Sequence, residues 1–323
     1  MQTDLTRLLG IEAPIVQGPF GPWTTVALSA AVSEAGGLGS IGAAAVAPER
    51  VREMITEMRE RTDRPFAVNH TWRPLDEESF RITLEARPAV VSLALGGPGD
   101  LAARVHDVGA RFMSQVTTVE QAVRAAEAGA DVVIAQGAEA GGFGGEVSTM
   151  VLVPQVVDAI APVPVLAAGG IADGRGLAAA LLLGAQGVNV GTRFLTAAES
   201  AIPELYRDAV LGATSQDAVK VAFDAFGPAG GPDPYVTRPR AISTPFVERH
   251  NTHPPEDLEA VGAEIMAALR AGRAHELVPF AGQSAGLIDR VLTAREIVEG
   301  MVREATARLA AVSQAAAGVT SAA

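Results

Sequence analysis

Residues 164–195, PVLAAGGIADGRGLAAALLLGAQGVNVGTRFL, decide the fold. The apolar run Val163–Ala168 reads as a buried strand that ends at Gly169–Gly170. Arg175–Leu183 is an Ala/Leu-rich helix, and Gly184 sits where a left-handed C′ residue stops it. Val188–Val190 is the next strand, followed by Gly191-Thr192-Arg193. A strand, a helix and a second buried strand in this order form a parallel β-α-β crossover.

The same rhythm runs upstream. Strands are expected at Pro14–Gln17, Leu38–Ile41, Pro65–Asn69, Val90–Ala94, Phe112–Val116 and Val132–Gln136, which with the two above make eight. Helices are expected at Thr25–Ala35, Pro48–Arg61, Thr118–Ala128 and Leu152–Ile160, with Gly109 and Gly129 as further C′ residues. Eight βα units predict an α/β protein, a TIM (β/α)8 barrel. After Thr196 the rhythm breaks. Residues 202–280 are richer in Pro and charge and read as a mostly helical insertion after strand eight, with helices at Pro203–Ala213 and Pro255–Ala271. A closing helix follows at Ile288–Ala311, and the tail AAAGVTSAA is expected to fray. The division is therefore 1–201 with 281–323 for the barrel, and 202–280 for a lid or insertion.

Composition narrows the chemistry. The 323 residues are 48% hydrophobic and only 4% aromatic, so the core is built mainly from Ala, Val, Leu and Ile. A net charge of −12 argues against nucleic acid as the main partner. The absence of cysteine excludes disulfides, thiolate metal sites and cysteine nucleophiles. Without a signal peptide or an apolar span long enough for a membrane, the reading is a soluble cytoplasmic protein.

In a βα barrel the loops after strands seven and eight commonly bind phosphate, because backbone N–H groups meet an anion that any Cβ would hold off. Gly169, Gly170, Gly191 and Thr192 stand there. Gln136-Gly-Ala-Glu-Ala-Gly-Gly-Phe143-Gly-Gly after strand six suggests a loop lying against a flat ligand. Its Glu139 is either a general base or a helix-capping carboxylate. Gln17-Gly-Pro-Phe-Gly21 and Asn69-His70 would open on the same face, and His70 is the one histidine directly after a predicted strand. His250 and His253 lack a metal-ligand pattern, His106 lies on a helix and His275 in the insertion, and no metal is expected. Gly37-Leu-Gly-Ser-Ile-Gly42 matches GxGxxG, but a helix precedes it rather than a strand, which favours a helix–strand turn over a dinucleotide site.

Together PIVQGPFG, AGGLGSIG, PFAVN, QGAEAGG, the 164–195 stretch and AGQSAGLI resemble the nitronate monooxygenase (2-nitropropane dioxygenase) family, which is related to flavin-dependent enoyl-ACP and quinone reductases. The resemblance implies an FMN-containing barrel. Carried over, it places FMN on Asn69, Gln136, Gly141, Gly169, Gly170, Asn189, Val190, Gly191 and Thr192, with Gly18 and Gly21 along the ring and Gln283 facing the site. It implies oxidation of alkyl nitronates by O2. The alternatives are NAD(P)H-dependent enoyl or quinone reduction and a catalytically silent FMN-binding protein. A homodimer is one assembly such a chain could form. One departure matters: the motif's catalytic histidine is Phe143 here. Phenyl cannot take a proton, so pre-ionised nitronates should react while neutral nitroalkanes need another base, for which His70 is the candidate.

Overall fold

The structure is a computed structural model that describes residues 1–72, 75–223, 235 and 237–320. The Gly/Pro-rich run 227–234 of the insertion and the last three residues of the tail lie outside them.

Eight parallel strands form the central sheet: β1 (Ile15–Gln17), β2 (Gly39–Gly42), β3 (Phe66–Thr71), β4 (Val90–Ala94), β5 (Arg111–Val116), β6 (Val132–Gln136), β8 (Val165–Ala168) and β9 (Gly187–Val190). A further strand, β7 (Gly142–Gly144), lies between β6 and β8 in sequence but outside this sheet. The order β1-β9-β8-β6-β5-β4-β3-β2 is that of a barrel. It closes where Val16 bridges Leu38 and the Gln17 amide spans to Ser40. All eight expected strands are present, two with the expected bounds and the rest with ends shifted by one or two residues.

Helices alternate with the strands: α1 (Asp4–Leu9), α2 (Val26–Glu34), α3 (Pro48–Arg61), α4 (Glu77–Ala86), α5 (Leu101–His106), α6 (Val119–Glu127), α7 (Thr149–Ile160), α8 (Gly174–Leu182) and the single turn α9 (Thr192–Leu195). Thr118 caps α6 in a full capping box, and Gly109, Gly129 and Gly184 have positive φ as expected of C′ glycines. Val16, Leu38, Ala67, Met113, Ile134 and Leu166 fill the barrel, with Leu5 and Leu9 of α1 packed among them. Gly39 explains the GxGxxG match, because a Cβ there would lie 1.9 Å from the Ser29 carbonyl oxygen of α2. The glycine serves close helix–strand packing.

Residues 202–280 differ from the expectation of a mostly helical segment. They hold α10 (Glu204–Gly212), α11 (Pro245–Thr252) and α12 (Leu258–Arg270), but also β10 (Ala218–Lys220) and β11 (Arg238–Ile242). β11 pairs antiparallel with both β10 and β7, so this segment is stitched by backbone hydrogen bonds to the loop after β6. Sequence pattern hid this because β7 is only Gly-Phe-Gly, whose extended state is imposed by its partner. The closing helix α13 runs Ala294–Thr320, packed on α8 and α2. It starts later than Ile288, because Leu292 is held extended by a parallel bridge to Ala197, and it continues through the described part of the tail.

Candidate active site

A cavity of about 520 Å³ opens at the C-terminal ends of the barrel strands, where active sites of this architecture sit. Gly18 follows β1, Asn69 lies on β3, Gln136 ends β6, Gly141 precedes β7, Gly169–Gly170 follow β8, and Asn189, Gly191 and Thr192 close β9; all line it, as does Gly21. A larger depression of about 970 Å³ between α8 and α13 is lined by a mixture of charged and apolar residues and lies away from the barrel mouth. Arg193 points there and donates to the Arg290 carbonyl at 2.7 Å. Burial holds its pKa below the ordinary guanidinium value.

Two features of the cavity have defined chemistry. Gly169 and Gly170 take φ of 103° and 75°, a left-handed pair that glycine adopts without steric cost. The backbone N–H groups of Gly169, Gly170 and Gly191 have no acceptor among the described residues, and all three residues line the cavity. Free backbone donors of this kind suit an anion. Elsewhere side-chain amides line the wall. Gln115 donates to Gln136 Oε1 at 3.0 Å, leaving Gln136 Nε2 as a donor, and Asn69 Nδ2 donates to Ser92 Oγ at 2.9 Å, leaving Asn69 Oδ1 as an acceptor. A heterocycle with alternating donors and acceptors finds both kinds of partner there.

Several expected residues play other parts. Val190 is buried in the core, and only its carbonyl turns to this region, accepting from Gly18 N at 2.8 Å. Gln283 does not line the cavity, whereas its neighbour Ser284 does; Gln283 N donates to the Glu139 carbonyl at 2.9 Å. Gly141 meets the returning loop so closely that a Cβ would lie 2.5 Å from the carbonyl carbon of Ala281. The Glu139 carboxylate accepts from Thr149 N and Oγ1 at 2.9 Å each, which makes it a cap for α7.

His70 is the main correction. It is 2% exposed and lies off the cavity, while Asn69 and Thr71 on either side of it line the cavity. Alternation along β3 sends it to the opposite face. There its ring meets Phe80 edge-on at 5.2 Å, and its Nε2 lies 3.0 Å from Thr83 Oγ1. Thr83 gives its own hydrogen to the Ser79 carbonyl, so it accepts from His70, which is the neutral Nε2–H tautomer. Burial pushes its pKa down to about 4, against the pull of Asp76 and Glu77. His70 cannot be the replacement base.

Phe143 lines the cavity on β7, opposite Pro239 in the ladder, with its ring 5.4 Å from Phe280. Residues 202–280 add an apolar wall of Ile265, Met266, Leu269, Val278 and Phe280. Tyr206 and His275 also line it, and neither stood out in the sequence, where the insertion has no βα rhythm to place them. Tyr206 donates to the Phe280 carbonyl at 2.6 Å, and complete burial drives its pKa upward. His106 pairs with Asp131 at 2.8 Å, and His250 packs edge-on against Phe246. Among the described residues no group of three or more His, Asp or Glu is arranged to hold a metal, and no helix is long and apolar enough to cross a membrane.

Residues 2–81 and 74–304 match the nitronate monooxygenase family. The chain belongs to that family. A nitronate monooxygenase of Pseudomonas aeruginosa is 36% identical over 94% of this chain and 99% of its own. FabK from Thermotoga maritima superposes with a TM-score of 0.90 at 35% identity, covering 97% of this chain and 99% of that one. A nitroalkane oxidase of Streptomyces ansochromogenes gives 0.82 at 28% identity over 95% and 99%. Nitronate monooxygenases and FabK enzymes are flavin-dependent oxidoreductases, and this family member has their barrel fold.

Proposed function

We propose that the protein is an FMN-dependent nitronate monooxygenase that oxidises alkyl nitronates with O2. The observation that carries the reading is the donor set of the barrel mouth. Three backbone N–H groups without acceptors suit a phosphate, and the free functions of Asn69 and Gln136 suit the polar edge of a flavin ring. Gly169, Gly170, Gly191 and Thr192 would hold the phosphate; Gly18, Gly21, Asn69, Gln136 and Asn189 would flank the rest. FMN, when bound, supplies the electron-accepting chemistry that no side chain of this protein offers.

The chain's own residues bind, orient and exclude water. Trp23, Phe143, Tyr206 and Phe280 make an aromatic enclosure in which a small anion keeps few waters, so polar contacts there act in a low dielectric. A nitronate is already an anion and needs only positioning and hydrogen bonds. Residues 202–280 act as a lid, held in place by the β7–β11 ladder.

A second reading has an observation of its own. The apolar wall of Ile265, Met266, Leu269 and Val278 would suit the acyl chain of an enoyl thioester, with NAD(P)H as donor. The purified protein, mixed with NADH without oxygen, separates the two. A nitronate monooxygenase keeps its yellow flavin, and a reductase bleaches it. A protein that binds FMN but turns over neither nitronates, enoyl thioesters nor quinones is a silent binder.

A further inference from the structure

With Phe143 at the family's histidine position and His70 on the far face of β3, one imidazole still lines the cavity. His275 sits in the 3₁₀ turn Ala274–Glu276, just after α12. Its ring stacks on Tyr206 with centroids 5.9 Å apart and planes 8° from parallel, and Trp23 meets it edge-on at 6.1 Å. The hydrogen bond from Tyr206 to the Phe280 carbonyl fixes this platform, and the Phe280 ring in turn lies against Phe143. Position 143 and His275 therefore belong to one continuous aromatic wall.

The imidazole is held by ring contacts rather than by hydrogen bonds. Its Nδ1 is buried and has no partner. A buried polar atom left this way costs about 1–3 kcal/mol, so the ring is not placed here for a hydrogen bond within the protein, while the residue itself lines the cavity. The other four histidines are placed elsewhere: His70 and His106 have polar partners, His250 packs on Phe246, and His253 is exposed outside the cavity.

We propose that His275 is the general base of this site, taking over from the wall of the insertion the proton chemistry that Phe143 cannot perform. The proposal rests on the nitronate reading. The α-C–H bond of a neutral nitroalkane breaks, its electron pair moves into the C–N bond to give the nitronate, and the proton passes to the unprotonated nitrogen of His275. No oxidant is consumed in this step. The imidazolium then stands beside the new anion and offsets its charge.

The test compares neutral nitroethane with ethyl nitronate, each mixed anaerobically with the holoprotein before the two forms interconvert, with flavin reduction followed by stopped flow. Reduction by ethyl nitronate should change far less in His275→Gln and His275→Ala than reduction by neutral nitroethane. Reduction by neutral nitroethane should fall by about 10²-fold or more in both variants, the usual loss on removing a general base. A second readout needs no turnover: in D2O, anaerobic wild-type holoprotein should accelerate α-proton exchange of nitroethane, seen by proton NMR, and the variants should not. Neutral nitroethane reacting equally well in the variants, or not at all in a wild type that oxidises the nitronate, overturns the assignment. Equal loss of both substrates in both variants also overturns it, by showing a structural role. A wild type inert to the nitronate itself refutes the functional reading instead.

Discussion

Gly191→Ala separates binding from folding at the proposed phosphate site. Gly191 has φ −103° and ψ −67°, a conformation open to any L-residue, and a Cβ built there has no heavy atom within 4 Å. The fold should therefore tolerate alanine, and lower entropy of the unfolded chain should stabilise it by about 0.4–1 kcal/mol. Gly191 lines the cavity, so on the proposed phosphate placement the new methyl obstructs the anion's approach to the backbone. Loss of one charge-assisted hydrogen bond costs about 1.5–3 kcal/mol, which weakens FMN binding by roughly 10- to 150-fold. The assay is titration of the apoprotein with FMN, read by quenching of flavin fluorescence, beside thermal melting of the apoprotein. Gly170→Ala is the contrast, because φ of 75° should cost about 1–2 kcal/mol of folding stability in the apoprotein. If Gly191→Ala melts like wild type and binds FMN equally well, the phosphate does not lie at this site.

Other outcomes follow from the same geometry. Gly141→Ala should destabilise the protein and loosen the loop at Ala281–Gly282, seen as faster amide exchange there, because its Cβ would meet backbone at 2.5 Å. His70 has a folded pKa of about 4, below its ordinary 6.5, so the unfolded chain binds its proton first as pH falls. Stability linked to it is complete above pH 6.5, declines between 6.5 and 4 and levels off below. The decline is on the order of 3 kcal/mol. His70→Leu should flatten that part of a denaturation-versus-pH curve while leaving nitronate oxidation intact, and unchanged acid sensitivity would contradict the burial argument.

The barrel was legible because strands buried on both faces are continuous apolar runs, and because Gly109, Gly129 and Gly184 mark helix ends by local geometry alone. The glycine loop after β8 was legible for the same local reason, since Gly169 and Gly170 take positive φ. What failed depended on distant partners or on parity. β7 is a strand only because Arg238–Ile242 returns to pair with it. His70 sits directly at a strand end, yet alternation along β3 gives the cavity to Asn69 and Thr71. Parity alone argues that neighbours on one strand cannot both face one site. His275 carried no signal, since its place depends on how residues 202–280 fold back over the barrel.

The most direct measurement is oxygen uptake by the purified yellow holoprotein given ethyl nitronate, with no nicotinamide present. The account predicts sustained oxygen consumption that saturates with nitronate and disappears when the flavin is removed. Absence of uptake with nitronates, together with anaerobic bleaching by NADH and reoxidation by an enoyl thioester, would contradict it.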